Sequence, residues 1–227
     1  MGTDSGMDER RSRWLPDEEP PEGQRAASHR LAAALRRTIH LLMESDPPEA
    51  DLLAAAEAAE RFAERLAEAP RGHTLWGFAE TSNAGDTHSM FDNSPLIGLS
   101  NPISPPLMLW VERDGVVGTA TFGAAYEGPP GHVHGGITAA AFDELLGMVQ
   151  SMTGSPGMTG TLTVRYRRPA PLHRELRFAG RVDRVDGRKI FASGTLHDGE
   201  TLCAEAEGIF VSVDFERLRQ MASVESG

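Results

Sequence analysis

Apolar residues recur along this chain with two different periods. Between residues 24 and 44 (QRAASHRLAAALRRTIHLLME), Leu31, Leu35, Ile39 and Leu42 fall on one stripe, which predicts an amphipathic helix. Asp46-Pro47-Pro48-Glu49 then offers an N-cap, a proline for the first helical position and a glutamate for the third. A second helix is expected to run to about Ala69, carrying Leu52, Leu53, Ala56, Ala59, Phe62, Ala63 and Leu66, before Pro70-Arg71-Gly72 stops it. Residues 23–70 thus read as a helical hairpin, an extension that packs or supports a dimer. From Leu107 the period shortens. LMLWVER and VVGTATFGAAY flank Asp114-Gly115, a hairpin signal. A nearly uncharged helix spans Gly135 to about Met152. Strand-like segments follow at 158–168, 173–185, 188–197 and 201–214, with turns at Gly187 and Asp198-Gly199. Leu162-Val164-Tyr166 and Ile209-Val211-Val213 alternate clearly. Two strands, one long helix and four strands predict an α+β fold, with a central helix wrapped by one curved antiparallel sheet.

The remaining segments set the boundaries. Residues 1–22 are charged and punctuated by Pro and Gly, and read as a disordered tail. Residues 71–106 form a connecting segment whose Leu96, Ile97, Leu99 and Ile103 suggest that it lies over the core. The main domain is expected at 107–215, and 216–227 reads as a C-terminal tail. Hydrophobic residues make up 40% of the 227, enough for a sizeable core. A net charge of -11 argues against nucleic-acid binding. The single cysteine, Cys203, allows no intramolecular disulfide. No apolar run reaches membrane-spanning length, and the first 20 residues lack the apolar stretch of a secretory signal. The expectation is a cytoplasmic protein.

His134-Gly135-Gly136 at the head of the central helix carries the chemistry. A helix N-terminus presents free backbone N–H groups and the positive end of the dipole, and so favours negative charge. Asp143 sits nine positions after His134 in an otherwise uncharged stretch and is expected to be buried, with a raised proton affinity. An oxyanion-binding end and an acid are the two parts that acyl transfer needs. At about 1.5 Å per residue the two lie roughly 13–14 Å apart on one helix, too far to share one carbonyl. If they act together they come from different chains, and a two-fold axis places Gly135 of one protomer near Asp143 of the other. Asp143 can also be read as a helix-face acid bridging to an arginine, and His134 as a capping or core histidine. Glu144, about 100° around the helix, is expected to face elsewhere. Gly147 is expected to permit close packing, and Met148, Met152 and Met158 to fill core gaps. His132-x-His134 has no third ligand at metal spacing, so no metal is expected.

Residues 165–189 carry nine basic side chains (Arg165, Arg167, Arg168, Arg174, Arg177, Arg181, Arg184, Arg188 and Lys189) against Glu175, Asp183 and Asp186. On an acidic protein such a strip is either a salt-bridged sheet face or a site for an anionic ligand. Arg165 and Arg167 flank Tyr166 and should share one face.

The stretch GHVHGGITAAAFDELLG resembles the core signature of the hotdog-fold thioesterases, in their phenylacetic-acid-pathway-like branch. SPPLMLWVERDGVVGTATFGAAYEGPPGHVHGG, GMTGTLTVRYRRPAPL and GRKIFASGTLHDGETLCAEAEGIFVSV extend the likeness over roughly residues 90–214, toward mammalian thioesterase superfamily members four and five. The resemblance implies a hotdog fold and hydrolysis of acyl-coenzyme A, with no cofactor, since coenzyme A is part of the substrate. It implies Asp143 as general base or nucleophile, the Gly135 N–H as the group polarising the carbonyl, and His134 as an orienting residue. Thr159, ten residues before Pro169, matches the hydroxyl that positions water or the aspartate, although it could be an ordinary strand threonine. Gly136, Arg168, Arg188 and Lys189 are the expected substrate-binding residues, the basic ones because arginine and lysine suit the phosphates of coenzyme A. A homodimer or homotetramer is implied. A non-catalytic acyl-CoA-binding hotdog protein is the alternative, and a hotdog dehydratase a remoter one.

Overall fold

The computed structural model describes residues 21–70, 92–113, 115–154 and 157–213. Residues 1–20 of the expected tail 1–22, the expected tail 216–227, and residues 71–91 of the connecting segment lie outside them. Helices α1 (Gly23–Glu44) and α2 (Glu49–Ala67) come first. Strands β1 (Met108–Glu112) and β2 (Gly115–Thr121) follow, then helix α3 (Gly135–Ser151). The chain continues through β3 (Gly157–Tyr166), β4 (Glu175–Asp186), β5 (Lys189–Asp198) and β6 (Thr201–Ser212). The strands form one sheet in the order β1-β2-β4-β5-β6-β3, every neighbour antiparallel. This is the α+β hotdog arrangement that the sequence led us to expect.

The curve of the sheet holds α3. Ala141, Phe142, Leu145, Leu146 and Val149 are fully buried against Phe178, Leu176, Ile190, Leu196 and Phe210 from the strands. Gly180 and Gly194 let the helix come close, because a Cβ on either would meet Leu145 at 3.2 Å or less. Burying an apolar helix face in this way is the main stabilising term of the domain.

Strand ends follow the turn chemistry, with one correction. Gly187 and Gly199 both take positive φ at their turns. The first hairpin turns one residue earlier than Asp114-Gly115: Glu112 pairs with Gly115, which therefore belongs to β2, and Arg113 takes φ 51°. On β6 the inward residues are Ala204, Ala206 and Phe210, and the alternating Ile209-Val211-Val213 series is half-buried. Gly208, between Ala206 and Phe210, must stay small, because a Cβ there would meet the Phe210 ring at 2.6 Å and Leu146 at 3.2 Å. Met148 fills the core as expected, whereas Met158 is exposed on β3.

The N-terminal helices depart further from expectation. The face of α1 that docks is polar. Arg25 and His29 bond Asp92, and Arg36 donates to the carbonyls of Ser104 and Asn101. His40 Nδ1 accepts from the Ala125 N–H, and its ring meets Tyr126 edge-on. Ala32 is buried among them, while Leu31, Ile39 and Leu42 stay exposed. Ion pairs and carbonyl acceptors on the domain select this polar stripe over the apolar one. Helix α2 starts at Glu49 with Pro48 as its cap residue, not at Pro47 with Asp46. A residue before proline is pushed out of helical backbone, so Pro47 cannot open a helix that Pro48 follows. Of α2 only Phe62 is half-buried, so the expected packed hairpin is absent within one protomer.

The connecting segment does lie over the core. Ile97 packs on it, although Ile103 is exposed. The Ser94 hydroxyl caps the next turn by accepting from the N–H groups of Leu96 and Ile97, and lies 3.4 Å from Glu144 Oε1. Glu144 points away from the face that carries Asp143. Burial beneath this segment, with a lesser push from the Asp143 charge, raises its carboxyl to about 7 despite the Ser94 hydrogen bond.

Leu145→Ala is expected to cost about 2–5 kcal/mol, read as a lower urea midpoint, because the curved sheet cannot close over the void. Glu144 makes stability depend on pH with a defined sign. Its carboxyl binds protons more tightly in the folded chain, so its contribution is complete below about pH 4.5 and lost as pH rises through about 7. At about 1.4 kcal/mol per pH unit, the span is of order 3 kcal/mol. Glu144→Gln is expected to raise the melting temperature at pH 8 and to flatten the profile between those limits. An unchanged profile would show that Glu144 carries no such linkage.

Candidate active site

The head of α3 is organised by His134. Its backbone takes the N-cap position, and its Nδ1 accepts the Gly136 N–H at 3.0 Å. Side-chain capping by an imidazole requires the neighbouring residue to be small, since a Cβ on Gly136 would lie 3.1 Å from that nitrogen. The His134 carbonyl takes the N–H groups of Ile137 and Thr138. No acceptor among the described residues bonds the Gly135 N–H. It is the one donor of the first turn left for an incoming oxygen. Tyr166, at the end of β3, donates its hydroxyl to the Gly135 carbonyl at 2.7 Å.

Further along α3, Asp143 accepts the Thr159 hydroxyl at 2.8 Å. Thr159 reaches the helix because of a break in the β3 ladder. Thr161 pairs with Ile209 but Thr159 pairs with Phe210, so Gly160 is an extra residue. This bulge inverts the strand's alternation and turns Thr159 from the outer face to the helix side. At the other end of the seam, the Gln150 side chain brackets Gly157. Its Oε1 accepts the Gly157 N–H at 2.9 Å and its Nε2 donates to the Gly157 carbonyl at 3.4 Å. Helix and edge strand are thus tied at three points.

The expectation of a buried Asp143 does not hold within one protomer. Asp143 is exposed, because the sheet covers the opposite face of α3 and β3 reaches only its flank. The more covered acid is its neighbour Glu144, which is half-buried. Gly147 does not sit against the sheet either, and an added Cβ there would meet nothing within 4 Å.

Most of the basic strip is a salt-bridged face. Arg165 pairs with Glu207 and Arg167 with Glu205, both on the outer side of the sheet as their spacing implied. Arg174, Arg177 and Arg181 pair with Asp198, Glu112 and Asp183. Arg184 stacks on Phe191 at 3.5 Å. Arg188 commits two donors to the Ser212 carbonyl, which fixes the end of β6. The side chains of Arg168 and Lys189 form no hydrogen bond or ion pair among the described residues, although the Arg168 backbone N–H donates to the Cys203 carbonyl. The structure does not bring the expected phosphate ligands together in one chain. Arg168 lies beyond Tyr166, toward the head of α3, whereas Lys189 is aligned through Val211 with Met158, beside Thr159.

His132 bonds the Pro130 carbonyl, and no three His, Cys, Asp or Glu side chains gather among the described residues. No helix of the described residues is long and apolar enough to cross a membrane. The residues that sequence reasoning missed are Tyr166, Gln150 and Ser94. Tyr166 stands in a noticeable run (Tyr166-Arg167-Arg168-Pro169), but nothing local signals that its hydroxyl reaches back to Gly135.

Comparison with known proteins bears on the family. Residues 130–205, which contain the head of α3, Asp143 and Thr159, match the family model described as thioesterase superfamily. Acyl-coenzyme A thioesterase THEM4 of Bos taurus is 37% identical over 97 residues, 42% of this chain and 40% of that protein. Acyl-coenzyme A thioesterase THEM5 of Homo sapiens is 29% identical over 96 residues, 41% of this chain and 39% of that one. The chain spans about two fifths of the length of these curated relatives. A crystal structure described as a thioesterase superfamily protein superposes with a TM-score of 0.74 at 35% identity, over 86% of this chain and 94% of that one. With the fold, the helix-head geometry and this nearly full-length relative in agreement, the chain belongs to the thioesterase superfamily.

Proposed function

We propose that the protein hydrolyses acyl-coenzyme A to the free acid and coenzyme A, at two sites shared across a homodimer. The observation that carries this reading is the pairing of the Thr159 hydroxyl with the Asp143 carboxylate on an open seam whose far end presents an unbonded Gly135 N–H. The similarity to proteins named acyl-coenzyme A thioesterase supports the choice of substrate.

In this reading Asp143 takes a proton from water and the resulting hydroxide adds to the thioester carbonyl carbon. The carbonyl oxygen gains negative charge, which the Gly135 N–H holds. One preorganised donor at that position is worth about 10²–10³ in rate. Collapse of the adduct breaks the C–S bond, and the departing thiolate recovers the proton. Thr159 holds one carboxylate oxygen of Asp143 and leaves the other to the water. The step uses no group beyond water and the chain's own residues, and no cofactor is proposed.

The edge position of β3 supports the dimer. It is a strand of 10 residues, paired within the sheet with β6 alone among the described residues, with Met158 and Tyr166 exposed. A long unprotected edge invites pairing with another strand. If two copies pair antiparallel about a point between Leu162 and Thr163, Thr159 of one lies opposite Tyr166 of the other. Asp143 of one protomer then approaches Gly135 of its partner, covering the carboxylate that a single chain leaves exposed. The same pairing brings Arg168 of one copy toward Arg188 and Lys189 of the other, a plausible seat for the phosphates of coenzyme A. Gly136 would line the same end.

Asp143→Asn is expected to lower kcat on acyl-CoA by about 10²–10⁴. Gly135→Pro deletes the free N–H at a helix position where proline is tolerated, and is expected to be similarly impaired. Refolding the two inactive variants together should restore about a quarter of wild-type activity, since half the dimers are mixed and each has one intact site. No recovery would place both groups in one chain and end the shared-site reading. A panel of acyl-CoAs of graded chain length showing no hydrolysis by the wild type would end the assignment of the reaction.

A further inference from the structure

We infer that Tyr166 is a positioning residue for the carbonyl-binding N–H of Gly135, acting through the peptide plane between Gly135 and Gly136. The inference rests on the proposed reading of the site.

The two polar ends of that one peptide unit are both held by side chains. Its carbonyl, on Gly135, accepts the Tyr166 hydroxyl at 2.7 Å. Its N–H, on Gly136, donates to His134 Nδ1 at 3.0 Å. The unit lies between two glycines, which resist backbone rotation less than any other residues. Turning this plane changes ψ at Gly135 and φ at Gly136, and so redirects the first turn from which the free Gly135 N–H projects. Pinning it from opposite ends removes that freedom before substrate arrives, which is what electrostatic preorganisation requires.

Within one protomer Tyr166 packs little: the residue is 55% exposed, on an edge strand, and its hydroxyl is not needed to satisfy the Gly135 carbonyl, which also faces its own helical acceptor role. A carbonyl has two lone pairs, and the phenol takes the second. The strand brings the ring close enough that a Cβ on Gly135 would sit 3.4 Å from the hydroxyl oxygen and 3.5 Å from the carbon bearing it. Glycine at 135 therefore serves the tyrosine as well as the ligand.

The chain of bonds also has a chemical direction. A donor on the carbonyl polarises the peptide and makes its N–H a stronger donor. That bond holds His134 Nδ1 as an acceptor, so the ring proton of the neutral imidazole sits on Nε2. His134 is exposed, and its Nε2–H is therefore a second donor on the open side of the helix head.

Tyr166→Phe removes only the hydroxyl. It is expected to lower kcat on acyl-CoA about threefold to tenfold, the range of one hydrogen bond, with KM within about twofold and an unchanged melting temperature. In nitrogen-15-labelled protein without substrate, the Gly136 amide proton should move upfield and the His134 ring should lose its preference for the Nε2–H form. An unchanged kcat, unchanged Gly136 and His134 signals, or a fall in kcat matched by a fall in melting temperature would each overturn the inference. If the wild type hydrolyses no thioester, the acyl-CoA reading fails. The two resonance measurements on the free protein still decide whether Tyr166 sets this peptide plane.

Discussion

The seating of one nearly uncharged helix in the curve of a single sheet is the constraint on which the rest depends. Helix α3 gives Ala141, Phe142, Leu145, Leu146 and Val149 to the strands, and nothing charged can face that way. Its acids are therefore confined to the flanks, Asp143 on one and Glu144 on the other. The flank of Asp143 meets the last strand of the sheet. That of Glu144 meets the segment after residue 91. Burial of the apolar face thus assigns two adjacent carboxyls to different surroundings, and only one of them is pushed up toward neutrality.

The seam between α3 and β3 is built to hold a geometry that neither element fixes alone. Gln150, Thr159 and Tyr166 cross it at three places. The Gly160 bulge is the device that lets the middle tie form, since regular alternation would aim Thr159 outward with Thr161. A strand tied to a helix on one side, and to one neighbour in the sheet, still has a free edge. That free edge, an exposed acid and an unbonded helix-head amide coincide on one side of the molecule, and the proposed dimer would cover all three together.

Away from the seam, charge is used mostly for structure. Arg165, Arg167, Arg174, Arg177 and Arg181 are matched by acids, while Arg25, His29 and Arg36 fasten α1 to the segment at 92–104. The exposed pairs on the sheet contribute little individually, whereas the bonds around Asp92 are largely covered. Their consequence is selective: they decide which stripe of α1 docks, and they leave Arg168 and Lys189 as the uncommitted cations of the strip.

Sequence alone determined the order of elements, the start of α3 at the glycine pair, the turns at Gly187 and Gly199, and the association of His134, Gly135 and Asp143 with one helix. These are local matters, set by backbone permissiveness and by a period of two or 3.6 residues. Tertiary structure decided which parity of β6 faces inward, which stripe of α1 binds, that Asp143 lies open while Glu144 is covered, and that Tyr166 reaches Gly135 from 31 positions away. Each of those outcomes turns on what another element presents across a gap. A bulge shifts facing by one residue, and a proton's affinity follows the depth of covering, and neither is written in the neighbouring letters of the chain.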